Sequence, residues 1–172
     1  MTVPSGPDLA QRLRTVEARL AAVEDRLAVL ELAYDYQRRC DGGWAGPSHA
    51  DPKALTELFT PEARYALPEL PVATGHAQIE ALFTRLTEHV PWIVHYLVNP
   101  FVSIDGNRAR LEIKGGACFW RGPSRTLTFG TYYGELARTA DGWRFADWEF
   151  VRAQQPYPAT EWLTTDNGQP AR

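Results

Sequence analysis

The chain has 172 residues, 44% of them hydrophobic and 12% aromatic, with a formal net charge of −3. That length suits one domain with an appendage, and the apolar share supports a real core. The acidic balance and the lack of any basic run argue against a nucleic-acid binder, and no stretch approaches the ~20 apolar residues of a membrane span. The first residues, Met1 to Asp8, lack a basic-then-apolar leader pattern. The expectation is therefore a cytoplasmic protein in which Cys40 and Cys118 are reduced thiols, with a disulfide between them as the alternative.

Residues 1–8 contain Pro4, Gly6 and Pro7 and are expected to be loose. A heptad pattern follows. Leu13, Leu20 and Leu27 occupy a positions, and Val16, Val23 and Leu30 occupy d positions. Arg12, Arg19 and Arg26 hold every g position, and Glu17, Glu24 and Glu31 every e position. In a parallel bundle these arginines meet the glutamates of a neighbouring helix, whereas an antiparallel pair sets like charges together. Exposed pairs contribute only ~0.2–1 kcal/mol each, so the pattern speaks to choice of partner more than to strength. The stripe predicts a parallel self-association helix. Leucine at a with β-branched residues at d points to a trimer, with a dimer as the alternative. The competing reading is an amphipathic helix lying on its own domain.

The helix is predicted to run on to about Arg39 and to break at Asp41-Gly42-Gly43. Asp51-Pro52 reads as an N-cap followed by proline at N1. The helix it starts carries Ala54, Leu55, Leu58 and Phe59 on its apolar face and is stopped by Thr60-Pro61. A short strand is expected over Ala63–Leu67, and a third helix over about Ala77–Thr87. Four long strands follow: Ile93–Ile104, Arg108–Arg121, Thr126–Arg138 and Gly142–Ala153. Gly115-Gly116 predicts a bend or bulge in the second of them. Helices followed by a strand meander imply an α+β fold, a curved sheet covered on one face by helices. The segment after Pro156 carries Tyr157 and Trp162 and is read as a tail that either closes over a pocket or hangs loose.

The chemistry centres on His95 and Asp41. Strand alternation puts His95, Leu97 and Asn99 on one face. A carboxylate that orients an imidazole makes a general base near neutral pH. Taken singly, His95 also reads as a structural strand residue and Asp41 as a helix-ending turn residue. Tyr36, about one and a half turns before Asp41, either donates to a substrate oxygen or leaving group, or packs its ring in the core. Asn99 either faces substrate or ties strand ends together. Trp44, Phe119, Tyr132 and Trp148 are candidates to line an apolar pocket. No metal-binding or nucleotide-binding motif is present; His49 and Asp51 lie close in sequence but are two ligands in one loop.

Tyr34–Trp44 and Val94–Pro100 together resemble the SnoaL-like branch of the NTF2-like (cystatin-like) superfamily, over roughly Leu30 to Pro158. The resemblance is to the group with scytalone dehydratase, bile acid 7α-dehydratase and lindane dehydrochlorinase. It implies a cone with a curved mixed or antiparallel sheet, and a His–Asp dyad working without metal or organic cofactor. On this resemblance Asp41 and His95 take the dyad positions, and Tyr36 takes a position occupied by tyrosine or lysine in the group. Gly130–Arg138 is similar to a strand ending in a functional arginine, which makes Arg138 a candidate for binding a leaving anion. Trimers in the group agree with the heptad reading.

The expected organisation is a coiled-coil-like helix over 1–29, a SnoaL-like domain over 30–158 and a tail over 159–172. The expected function is a cofactor-independent lyase, of dehydratase type, acting on an apolar oxygenated small molecule such as a steroid, terpenoid, polyketide or aromatic metabolite. Two rivals stand beside it: an isomerase or cyclase of a biosynthetic pathway, and a non-catalytic small-molecule-binding or assembly module.

Overall fold

The computed structural model describes residues 8–41 and 47–153. The first helix, α1, runs unbroken from Leu9 to Asp41. No glycine or proline interrupts its sequence before Gly42. It presents two faces. Val29, Leu32, Ala33, Tyr36 and Cys40 recur at helical spacing and are buried against the sheet. The heptad stripe from Leu13 to Leu27 lies on another face and is uncovered, with Leu20 at 55% and Leu27 at 52% exposure, while Leu30 at its end packs partly against the core. The helix therefore does not lay its heptad face on its own domain. The boundary expected at residues 29 and 30 falls inside this one helix. Asp25 and Arg26 fix the point where α1 meets the sheet. Asp25 accepts from Arg138 and from the Trp143 indole, and Arg26 donates to the Val102 carbonyl.

Helix α2 is Pro52–Thr56, capped by the Asp51 carboxylate accepting from the Ala54 amide at 2.9 Å. It is shorter than the sequence pattern suggests. Phe59 opens strand β1, Phe59–Ala66, instead of closing the helix. Phe59 pairs with Phe145, and the Leu58 carbonyl accepts from the Phe145 amide. A short apolar run is compatible with helix or strand, and here pairing with a distant strand decides it. Strand β2 is Ala73–Thr74, and helix α3 is Gly75–His89.

Strands β3, Trp92–Asp105, and β4, Arg108–Arg121, form a long hairpin. The expected single strand over Thr126–Arg138 is divided into β5, Ser124–Leu127, and β6, Gly130–Thr139. Strand β7 is Gly142–Arg152. The sheet order is β2-β1-β7-β6-β4-β3, with β5 on β4. Among the described residues only β1 and β7 pair in parallel, so the sheet is mixed. Helices on one face of this curved sheet make the α+β architecture expected from the order of elements. Among the described residues no helix is long and apolar enough to cross a membrane.

The expected bulge is in a different strand. Strand β4 passes through Gly115-Gly116 in regular register, and the irregularity lies in β3 between Val98 and Phe101. Asn99 sits in it with φ +53°, a left-handed conformation that asparagine tolerates better than most residues. Gly116 serves a close approach instead: a Cβ there would lie 1.9 Å from the Thr128 carbonyl oxygen. Thr128 crosses β4 at that point, its hydroxyl accepting from the Ala117 amide at 3.0 Å.

Candidate active site

Asp41 is the last residue of α1 and His95 lies early in β3, so the two arrive from elements far apart in sequence. The Asp41 carboxylate accepts from the His95 ring Nδ1 at 2.5 Å and, through both oxygens, from the His95 backbone amide at 3.1 Å. A carboxylate at a helix C-terminus faces the negative end of the helix dipole, and these N–H groups offset that. Gln37, one turn earlier on α1, donates to the His95 carbonyl at 2.7 Å, which clamps the helix to the strand at the same place. Both side chains are mostly withdrawn from solvent, His95 at 7% and Asp41 at 16% exposure. With Nδ1–H committed to the carboxylate, the ring is held in one tautomer. Its Nε2, which has no protein partner among the described residues, is the lone-pair nitrogen, and His95 lines a cavity.

The cavity has a volume of about 330 Å³ and lies between α3, the sheet and the turn over Leu67–Pro71. Its walls are largely apolar, with Leu82, Leu86, Ile93, Phe119 and Phe150 among them. At the rim Arg152 on β7 pairs with Glu69 at 2.7 Å, joining the sheet to the turn. Tyr36 lines the cavity, and its ring centroid is 6.3 Å from that of His95. Its hydroxyl lies 2.7 Å from that of Tyr65, which also lines the cavity. One hydroxyl of this buried pair donates to the other, leaving one proton to offer to a ligand. Burial pushes both phenols well above their ordinary pKa, with the nearby Cys40 thiol adding to the shift, so they stay protonated donors. Tyr132 faces the same space and is raised chiefly by burial as well.

Of the other candidates, Phe119 and Tyr132 line the cavity. Three are placed elsewhere. The bulge at Asn99 turns that residue out to solvent and breaks the alternation that would keep it beside His95. Arg138 is engaged at the far end of the sheet, ion-paired to Asp25 and stacked over Trp143 at 4.4 Å. Trp148 is wholly buried in the core, its ring stacked on Tyr132 at 5.3 Å and its indole N–H without a partner among the described residues. It supports the wall from behind. Trp44 and the tail over 159–172 lie outside the described residues. Both cysteines are free thiols, Cys40 buried and Cys118 half-buried.

Tyr65 and His49 are cavity residues that the sequence pattern did not single out for this role. Tyr65 is signalled only by the inward alternation of Ala63 and Tyr65 in β1. His49 is signalled only by its place in the loop that returns from Asp41.

The model of the SnoaL-like domain matches residues 21–149, and the chain belongs to that family. Its fold is that of NTF2-like proteins with a cystatin-like fold. A comparison with curated proteins gives no match. Among solved structures, a protein of Novosphingobium aromaticivorans provisionally named an aromatic ring hydroxylase is 26% identical, with a TM-score of 0.70 over 77% of this chain and 92% of its own. A second protein of that organism, provisionally named a scytalone dehydratase, is 17% identical, with a TM-score of 0.68 over 83% of this chain and 93% of its own. A hexachlorocyclohexane dehydrochlorinase, LinA type 2, is 14% identical, with a TM-score of 0.70 over 82% of this chain and 94% of its own.

Proposed function

We propose that the protein is a lyase that eliminates water, or another small leaving group, from an apolar oxygenated small molecule, using acid–base groups of its own chain. The observation that carries this reading is the His95 ring, tied to Asp41 at Nδ1 and open to an apolar cavity at Nε2. Nε2 removes a proton from a carbon next to a substrate carbonyl, and Asp41 stabilises the imidazolium that forms. The Tyr36–Tyr65 pair donates to the carbonyl oxygen as negative charge develops there. Their raised pKa values suit hydrogen-bond donation better than full proton transfer. The carbon–oxygen bond then breaks, the double bond forms, and the imidazolium gives its proton to the departing hydroxyl as water. The dehydratase and dehydrochlorinase names among the structural neighbours agree with an elimination.

A β-hydroxy ketone of matching size tests this. With 3-hydroxy-1-tetralone the expected product is 1-naphthol, lighter by one water, and His95→Ala is expected to lower the rate by orders of magnitude. A loss of only a few-fold would sink the role given to His95. A product of unchanged mass would point to isomerisation, in which the same proton returns to another carbon.

The uncovered heptad stripe supports a second part of the reading, self-association through α1. The arginines at g and glutamates at e favour parallel helices, as a trimer or a dimer. Arg26 is partly engaged by Val102, so the Arg12 and Arg19 heptads carry most of this charge pairing.

A further inference from the structure

A second histidine shares the cavity with His95. His49 is 3% exposed, lines the cavity and stacks on Phe83 with ring centroids 5.9 Å apart. Its backbone adopts φ +53°, a left-handed conformation that carries a cost for any residue but glycine. Two hydrogen bonds hold it there: the His49 amide donates to the Cys40 carbonyl at 2.9 Å, and the Thr87 hydroxyl donates to the His49 carbonyl at 2.8 Å. The first ties the loop to the end of α1 that carries Asp41, so His49 is set in place relative to the dyad.

The neighbouring hydroxyl fixes the ring's tautomer. Ser48 Oγ donates to the Val90 carbonyl, so its proton is committed. The same oxygen lies 3.1 Å from His49 Nδ1 and can only accept there. Nδ1 therefore carries the proton and Nε2 carries a lone pair. No protein donor meets that lone pair among the described residues, and Nε2 is not among their wholly buried, unpartnered polar atoms. It is open to the cavity. Burial, with a smaller contribution from the charge of His95, lowers the His49 pKa to about 3, so the ring stays a neutral acceptor at ordinary pH.

We propose that His49 recognises a substrate hydroxyl: its Nε2 accepts a hydrogen bond from an O–H group of the substrate. The inference rests on the cavity being the substrate site and deepens that reading by naming a substrate feature. The molecule carries an O–H within reach of the second imidazole as well as the C–H that His95 attacks. A cavity that buries an unpaired acceptor disfavours analogues lacking the hydroxyl, because the acceptor is then desolvated without a partner.

The test uses the full chain with 15N-labelled histidine and two compounds, 2-naphthol and naphthalene. The expected wild-type preference for 2-naphthol is about 10-fold. The His49 Nε2 resonance should start in the range of an unprotonated ring nitrogen and move on adding 2-naphthol but not naphthalene. His49→Phe, which keeps the stacking ring, is expected to lose the preference. His49→Gln, which keeps an acceptor, is expected to recover part of it. An Nε2 resonance unmoved by 2-naphthol, no wild-type preference, or a preference retained in His49→Phe would each overturn the proposal. His95→Ala removes the other open acceptor of the cavity along with the base, and a preference lost there would place the hydroxyl at His95 and overturn the proposal. The hydroxyl contact and the elimination can fail separately.

Discussion

Asp41 holds His95 at two points, the ring Nδ1 at 2.5 Å and the backbone amide at 3.1 Å. The second contact fixes the strand to the helix end, so the first does not depend on a freely rotating side chain. A carboxylate bound in this way does more than accept one proton donor. It sets the ring's tautomer, its orientation and the direction of its free nitrogen, all of which a general base needs before substrate arrives.

The phenol pair should act as a unit. Tyr36→Phe and Tyr65→Phe each leave one buried hydroxyl without its partner, at a cost of about 1 kcal/mol in stability. Each should lower turnover of 3-hydroxy-1-tetralone roughly 10- to 100-fold, and the double variant should be little worse than the poorer single one. Multiplicative losses, measured as a double-mutant cycle in kcat/KM, would show that the two hydroxyls work independently.

His49 makes stability depend on pH with a definite sign. Its pKa falls from 6.5 to about 3 on folding. Above 6.5 the ring is neutral in both states and contributes nothing. Between 6.5 and 3 the unfolded chain takes up a proton that the folded one refuses, so stability is lost as pH falls. At pH 5 the loss is about 2 kcal/mol. Urea unfolding at pH 7 and pH 5 checks this by comparing wild type with His49→Phe, whose loss over the same interval should be smaller by that amount. Equal losses would contradict it.

At Gly116 an added methyl group meets backbone, not a movable side chain: its Cβ would fall 1.9 Å from the Thr128 carbonyl oxygen. Gly116→Ala must push β4 from the Thr128 crossing. The expected cost is about 1–3 kcal/mol or more, seen as a melting temperature lower by roughly 5–10 °C. An unchanged melting temperature would mean that the crossing is loose.

The stripe on α1 gives an assembly test that leaves the domain core untouched. Leu13→Glu with Leu20→Glu places charges at two a positions whose wild-type side chains are exposed in the single chain. Sedimentation should show a multimer for wild type and a smaller species for the variant. Equal masses would refute assembly through this face.

The parts of the fold legible in the sequence were those with local signatures. The Asp51-Pro52 cap and the helix ending near Asp41 are written in adjacent residues. So is the heptad stripe, although its exposure depends on which face of α1 the sheet takes. Phe59 was ambiguous because a short apolar run fits a helix or a strand, and its partner Phe145 lies far along the chain. Strict alternation sets Asn99 beside His95, and one extra residue in β3 cancels it. Trp148 and Tyr132 are both inward-facing aromatics, and only the packing of one ring behind the other separates wall from core. Arg138 matches a strand end of the family that this chain resembles, yet here Asp25 on the long α1 occupies it. The cavity roles of Tyr65 and His49 are not legible in the sequence, because they depend on partners, Tyr36 and Ser48, whose geometry no spacing rule supplies.

The most direct test of the central claim isolates proton removal by His95 from any later bond breaking. The compound 2-tetralone, an apolar ketone with no leaving group, is incubated with the protein in deuterium oxide, and deuterium entry beside the carbonyl is followed by NMR. Exchange faster than buffer in wild type, falling to the buffer rate in both His95→Ala and Asp41→Asn, is the expected result. Exchange in His95→Ala as fast as in wild type, or none above buffer in wild type, would contradict a proton-abstracting His95 held by Asp41.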